Sequence, residues 1–153
     1  MYGIDTNWFT TDSQLKQQSL FTADQKLLDI RKIYQDEEVW NTEYDAIVYL
    51  AAVSNDPMGK KFADVTQEIN AEYCIKVAQE AKKRGVKKFI FASSCSMYGI
   101  SHNNFPNENS TLNPITEYAK SKVFAEHELA ALASSDFNII ALRFATACGG
   151  SPN

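Results

Sequence analysis

Asp45-Ala-Ile-Val-Tyr-Leu-Ala-Ala52 is a continuous apolar run, closed by the turn residues Asn55-Asp56-Pro57. Because it does not alternate, it predicts a parallel strand buried on both faces; a strand with one wet face would alternate. From about Lys61 to Arg84, Ile69, Tyr73, Cys74, Val77 and Ala81 recur every three to four residues, with Lys76, Glu80 and Lys83 outside the stripe. That is the period of an amphipathic helix. Lys82-Lys83-Arg84 suits the negative end of its dipole, and Gly85 supplies the stop. A second strand, Lys88-Phe-Ile-Phe-Ala-Ser93, leads into a polar loop ending near Pro114; a helix from Glu117 to about Ala133 and a third strand, Asn138-Ile-Ile-Ala-Leu-Arg143, follow. Strand, helix, strand, helix, strand is a repeated βαβ unit, which requires a parallel sheet with right-handed crossovers. Upstream, Tyr2-Gly-Ile-Asp5 reads as the end of a strand, Lys26-Leu-Leu-Asp29 as a very short strand and Arg31 to Trp40 as a helix. The fold class is α/β.

Composition narrows the partners. The 153 residues are 44% hydrophobic and 22% charged, an ordinary globular balance sufficient for one core. Fifteen Lys and Arg against nineteen Asp and Glu give a net charge of -4, which offers no electrostatic footprint for nucleic acid or an anionic membrane. No apolar run approaches the ~18 residues of a transmembrane helix, and no basic-then-apolar leader opens the chain. Cys74, Cys95 and Cys148 are odd in number and share no CxxC spacing. They read as reduced thiols of a cytoplasmic protein, with no metal site. His102 and His127 read as surface residues.

Parallel sheets place ligands beyond the carboxyl ends of their strands. The polar residues there are Ala51-Ala-Val-Ser54, Ser93-Ser-Cys-Ser-Met-Tyr98 and Thr146, although each stretch taken singly also fits an ordinary capped turn. Tyr118 and Lys122 lie four apart at a helix start and so share a face. An ammonium near a phenol favours the phenolate, which makes the tyrosine a usable acid/base at a hydroxyl or carbonyl carbon.

In order and spacing, Phe89-Ile-Phe-Ala-Ser-Ser-Cys-Ser-Met-Tyr-Gly99, the Pro114 loop, Tyr118-Ala-Lys-Ser-Lys122 with Ala125-Glu126, and Leu142-Arg-Phe144 resemble the extended short-chain dehydrogenase/reductases, specifically the NAD-dependent nucleotide-sugar epimerase/dehydratase family. Tyr49-Leu-Ala-Ala-Val-Ser54 is similar to the family's fourth strand and cofactor-touching turn, Asp29-Ile30 to its adenine-contacting pair, and Asp5 to the acid ending its second strand. The resemblance covers nearly the whole chain. It implies that residues 1–153 form a partial Rossmann-type NAD-binding domain, with Ser94, Tyr118 and Lys122 as catalytic residues. Ser94 would hold the reacting oxygen, Tyr118 would be the acid/base, and Lys122 would hold the nicotinamide ribose while tuning the tyrosine. Asp5 would accept from the adenosine ribose, favouring NAD over NADP. Leu50, Ala51, Ala52, Ser54 and Ala145 would line the cofactor groove, Asn70 would steady it from the helix, and Ser96 and Thr146 would join Ser94 and Tyr118 at the substrate.

Two departures from the family pattern carry expectations. Family dehydratases have an Asp-Glu pair after the catalytic Ser/Thr, whereas this chain has Cys95 and Ser96, which favours epimerisation or simple redox over dehydration. The family also opens on a strand, a GxxGxxG turn and a helix that cradle the pyrophosphate. Between Met1 and Thr22 the only glycine is Gly3, so the chain reads as beginning inside the second strand, with the first strand and helix missing. The expectation is a fragment of a UDP-glucose 4-epimerase-like enzyme, working through a keto-sugar on a nucleotide-sugar substrate, with the 153 residues alone binding NAD poorly and tending to self-associate or form a homodimer. The alternatives are a non-catalytic remnant or binding module of the same fold, a nucleotide-sugar reductase or dehydratase, and a partner-binding protein using exposed sheet edges.

Overall fold

A computed structural model describes residues 1–7, 24–54, 60–100 and 105–146. In chain order the elements are β1 (Tyr2–Asp5), β2 (Asp24–Leu27), α1 (Ile30–Ile33), α2 (Glu37–Trp40), β3 (Ala46–Tyr49), α3 (Ala63–Gln67), a π-helical turn (Glu68–Glu72), α4 (Tyr73–Lys83), β4 (Lys88–Ser94), a 3-10 turn (Cys95–Tyr98), α5 (Glu117–Leu132) and β5 (Asn138–Phe144). The expected turn at Asn55-Asp56-Pro57, His102 and Cys148 lie outside the described residues.

All strand pairings between these strands are parallel. β3, β4 and β5 form one sheet in that order, with Val48 beside Ile90 and Ile90 beside Ile140. β1 and β2 form a separate two-stranded sheet. Parallel sheets with flanking helices make this a Rossmann-type α/β fold. The small sheet is tied to the rest by side chains: Ile4 packs on the core, the Tyr2 and Tyr44 rings lie 6.3 Å apart, and Lys26 pairs with Asp36 at 2.9 Å.

The helical stretch expected from about Lys61 to Arg84 forms in three pieces, α3, the π-helical turn and α4, with the periodic stripe buried along α4. α4 buries Cys74, Val77, Ala78 and Ala81, and α5 buries Ala125 and Leu129, both against Tyr49, Phe89 and Phe91 of the large sheet. α4 ends as expected at Gly85, whose φ of 81° is left-handed. Gly85 N donates to the Lys82 carbonyl and Val86 N to the Ala81 carbonyl, each at 3.1 Å, a Schellman closure. Thr116 caps α5, its hydroxyl accepting from Ala119 N at 3.1 Å.

Three expectations change. The run Asp45–Ala52 is strand only over Ala46–Tyr49, and only one of its faces is buried. Among the described residues the packed helices cover a single side of the sheet, so Tyr49 is buried while Val48 and Leu50 are 56% and 67% exposed. Arg31 to Trp40 is two helices rather than one: the first ends at Ile33 with Tyr34 as its C-cap, and Asp36 caps the second, accepting from Val39 N at 3.1 Å. The early strand lies at Asp24–Leu27, since Asp29 is instead the N-cap of α1, accepting from Arg31 N at 2.9 Å.

Candidate functional site

Because β3, β4 and β5 run parallel, their carboxyl ends share one edge of the sheet. That edge carries Leu50, Ala51, Ala52 and Ser54 after β3, Ser94 and Ser96 at the end of β4, and Ala145 and Thr146 after β5. β1 and β2 end in the same sense, with Asp5 closing the first, and Asp29 and Ile30 just beyond the second. The site residues named from sequence therefore sit at strand ends, with three exceptions: Tyr118 and Lys122 open α5, and Asn70 lies in the π-helical turn.

Lys122 is the unusual member. It is 2% exposed, and its ammonium donates to the Ala92 carbonyl at 2.7 Å. The Nζ also lies 4.6 Å from the Phe91 ring centroid and 5.6 Å from that of Tyr118. Burial pushes its pKa down to about 8. An ammonium has three donors, and the Ala92 bond occupies one of them. α5 brings the half-buried Tyr118 one turn before Lys122 and packs against β4 and the Cys95–Tyr98 turn. Ser94 caps that turn, its Oγ accepting from Ser96 N at 3.2 Å, and Ser96 Oγ is buried with no partner among the described residues. An orphaned buried hydroxyl costs free energy unless a ligand satisfies it.

Two glycine and arginine features hold this edge in shape. Gly99 ends the 3-10 turn at φ 63°, and a Cβ there would lie 2.1 Å from the Asn113 carbonyl oxygen. Asn113 N in turn donates to the Met97 carbonyl at 2.9 Å. Arg143 binds Glu126 at 2.8 Å and donates to the Tyr98 hydroxyl at 2.9 Å, joining β5, α5 and the turn. The sequence motifs hold Arg143 and Glu126 but assign neither a role; their opposite charges on neighbouring elements are the signal that pairs them.

The other named residues are more varied. Asp5 is exposed, and its Oδ1 accepts from Asn7 N at 2.7 Å. The Asp29 carboxylate is held by Arg31, whose Nη2 approaches to 2.7 Å, and that guanidinium holds its pKa below the usual carboxylate range. Asn70 is fully buried, and its side chain is bonded to the turn after β3. Its Oδ1 accepts from Val53 N at 2.7 Å, and its Nδ2 donates to the Val53 carbonyl and to Ser121 Oγ, each at 3.1 Å. Ala51, Ala52, Ser54 and Thr146 sit on loops after their strands; the two alanines are half-buried and Ser54 and Thr146 exposed.

These residues fit one half of a dinucleotide. The Lys122 ammonium, the Ser96 hydroxyl without a partner among the described residues, and the small Ala51 and Ala52 suit a ribose and a flat ring at the strand ends. A pyrophosphate needs the backbone amides of a glycine turn at a helix start, and residues 1–153 contain no GxxGxxG.

Comparison with known proteins points the same way. The family model described as the NAD dependent epimerase/dehydratase family matches residues 9–153. A UDP-glucose 4-epimerase of Lactobacillus helveticus is 30% identical over 123 residues, covering 80% of this chain and 36% of that protein. An N-acetyl-alpha-D-glucosaminyl-diphospho-ditrans,octacis-undecaprenol 4-epimerase of Escherichia coli O157:H7 is 35% identical over 86 residues, covering 56% and 25% respectively. The chain thus spans about a quarter to a third of the length of these curated relatives. Among solved structures, a UDP-glucose-4-epimerase from Stenotrophomonas maltophila with bound NAD and formylated UDP-arabinopyranose superposes with a TM-score of 0.82 at 22% identity, covering 93% of this chain and 44% of that one.

Proposed function

The chain belongs to the NAD dependent epimerase/dehydratase family, and on that premise we propose that it carries the catalytic edge of a nucleotide-sugar 4-epimerase, of the kind that acts on UDP-glucose or UDP-N-acetylglucosamine. The family's cofactor is NAD, whose nicotinamide accepts and returns a hydride. The observation that carries the reading is Lys122, a cation held almost out of water beside Tyr118 and bonded to a backbone carbonyl rather than a carboxylate. Burying such a charge is costly, and that cost is typical of a functional site.

The chain's own residues would act as follows. Tyr118 removes the proton from the sugar hydroxyl as the carbon bearing it gives up its hydride, leaving a keto-sugar. The same phenol returns the proton when the hydride comes back on the other face, so the step has no net oxidation. Ser94 Oγ holds the reacting oxygen, with Ser96 and Thr146 on the substrate side. Lys122 holds the nicotinamide ribose and favours the phenolate of Tyr118. Asp5 engages the adenosine ribose, Asp29 and Ile30 flank the adenine, and Leu50, Ala51, Ala52, Ser54 and Ala145 line the groove.

Cys95 and Ser96 support epimerisation over dehydration. Removing water from the sugar needs its own acid and base, and neither side chain is a carboxylic acid. No helix among the described residues is long and apolar enough to cross a membrane. The free Cys74 and Cys95 suit a cytoplasmic setting. The apolar Val48, Leu50, Ile140 and Leu142 exposed on the sheet suit self-association or a homodimer. The test is to incubate the full-length protein with NAD and UDP-glucose or UDP-N-acetylglucosamine and resolve the products. The 4-epimer should form; accumulation of a 4-keto-6-deoxy sugar would overturn the epimerase reading.

A further inference from the structure

Asn70 and Ser121 stand 51 positions apart in sequence, yet each is 0% exposed and bonded to the other. The asparagine uses its whole amide: it accepts from Val53 N, and its two N–H groups go to the Val53 carbonyl and Ser121 Oγ. Ser121 is equally committed, since its hydroxyl also donates to the Tyr118 carbonyl at 2.7 Å. The π-helical turn Glu68–Glu72 carries Asn70. Such a turn fits one extra residue into a helix and re-aims the side chains around it, and π-turns of this kind concentrate at functional sites. The result is a continuous bonded path from the backbone of the turn after β3 to the backbone of Tyr118.

We propose that Asn70 and Ser121 are positioning residues, a buried clamp that fixes the Ala51–Ser54 turn against the first turn of α5 and so sets the separation between the groove and the Tyr118/Lys122 pair. The proposal rests on the epimerase reading for its effect on turnover, but not for the clamp itself. Neither side chain has a polar atom left over for a ligand, so both act through what they hold. A loosened clamp lets the reacting groups drift relative to each other, and a misplacement of about 1 Å can cost on the order of a hundredfold in rate.

Asn70→Ala, Ser121→Ala and the double variant, made in the full-length protein, test this. Ser121→Ala is the safer change, because alanine is a better helix former than serine and the helix itself is not weakened. Without cofactor or substrate, exchange of the Val53 amide hydrogen should speed up by about tenfold or more in Asn70→Ala, while amides of α4 stay protected. If that variant does not fold, Ser121→Ala should show a smaller increase at the same amide. With cofactor and substrate, kcat per NAD-binding site should fall by about 10- to 100-fold in each single variant, with the NAD dissociation constant changing less than about threefold. The double variant should be no slower than the slower single one. A merely structural role would instead reduce the number of NAD-binding sites and leave kcat per site unchanged, and that result would overturn the proposal. So would unchanged Val53 exchange. If the wild-type protein neither binds NAD nor epimerises, the functional reading fails, and the Val53 exchange still decides the clamp.

Discussion

Lys122 shows how much one residue can cost its fold. Burial lowers its pKa from the ordinary 10.5 to about 8, so between those values the unfolded chain binds more protons than the folded one. Stability from this group therefore rises with pH across about 8 to 10.5 and is lowest below 8, where the buried ammonium is charged. Lys122→Met should raise stability at pH 7 by about 1–3 kcal/mol, with the gain shrinking as pH climbs through that window while turnover is lost. Denaturant titrations at pH 7 and pH 10 check it, and a gain that grows with pH would contradict the assignment. On the proposed reading, loss of the Lys122 proton above about pH 8 should also pull down kcat, since Tyr118 then loses its cation. Tyr118→Phe should cost ~10²–10⁴-fold in turnover with NAD affinity within about threefold, read by steady-state kinetics beside fluorescence titration. Equal loss of both would make Tyr118 structural. The Tyr118–Lys122 pair was legible because helical period alone places both on one face. Asn70 and Ser121 were not legible as a pair, because their bond joins residues 51 apart with no local pattern to connect them.

At the scale of elements, the turn after β4 depends on one glycine more than on another. Gly85 and Gly99 both have positive φ, at 81° and 63°, but a Cβ on Gly85 meets nothing within 4 Å, whereas one on Gly99 meets the Asn113 carbonyl. Gly85→Ala should cost about 1 kcal/mol of backbone strain. Gly99→Ala should cost about 2 kcal/mol or more, because the Asn113 backbone must also move, and it should impair turnover through the displaced Ser94–Tyr98 turn. Urea unfolding midpoints separate the two; equal costs would mean the close approach is not real. The sustained periods of α5 and β4 were readable to within a residue or so, whereas the helix expected from about Lys61 to Arg84 forms as α3, the π-helical turn and α4. The short early elements were not readable, since four residues carry too little periodicity to outweigh a cap. Asp36-Glu37-Glu38 was a usable helix-start signal, and it divides what looked like one helix into two.

For the whole molecule, the parallel pairing of strands followed from the βαβ pattern, whereas the covering of the sheet did not. An apolar run reports that a strand is apolar, not which neighbours reach its second face, and Val48, Leu50, Ile140 and Leu142 are exposed on the side that α4 and α5 do not cover. Among the described residues the strands divide into two sheets, β1-β2 and β3-β4-β5. We expect the 153-residue polypeptide, titrated calorimetrically with NAD, to bind far more weakly than micromolar. The glycine turn whose amides would donate two or three charge-assisted hydrogen bonds to the pyrophosphate, at about 1.5–3 kcal/mol each, has no GxxGxxG counterpart in residues 1–153. Micromolar binding would mean another segment replaces the glycine turn. The central claim is that the hydride leaves and returns to one sugar carbon. It is tested most directly by giving the full-length protein and NAD a UDP-glucose that carries deuterium at C4, and locating the label by NMR. The account predicts deuterium retained at C4 of the inverted sugar; deuterium found at C6 of a 4-keto-6-deoxy product, or lost to solvent, would contradict it.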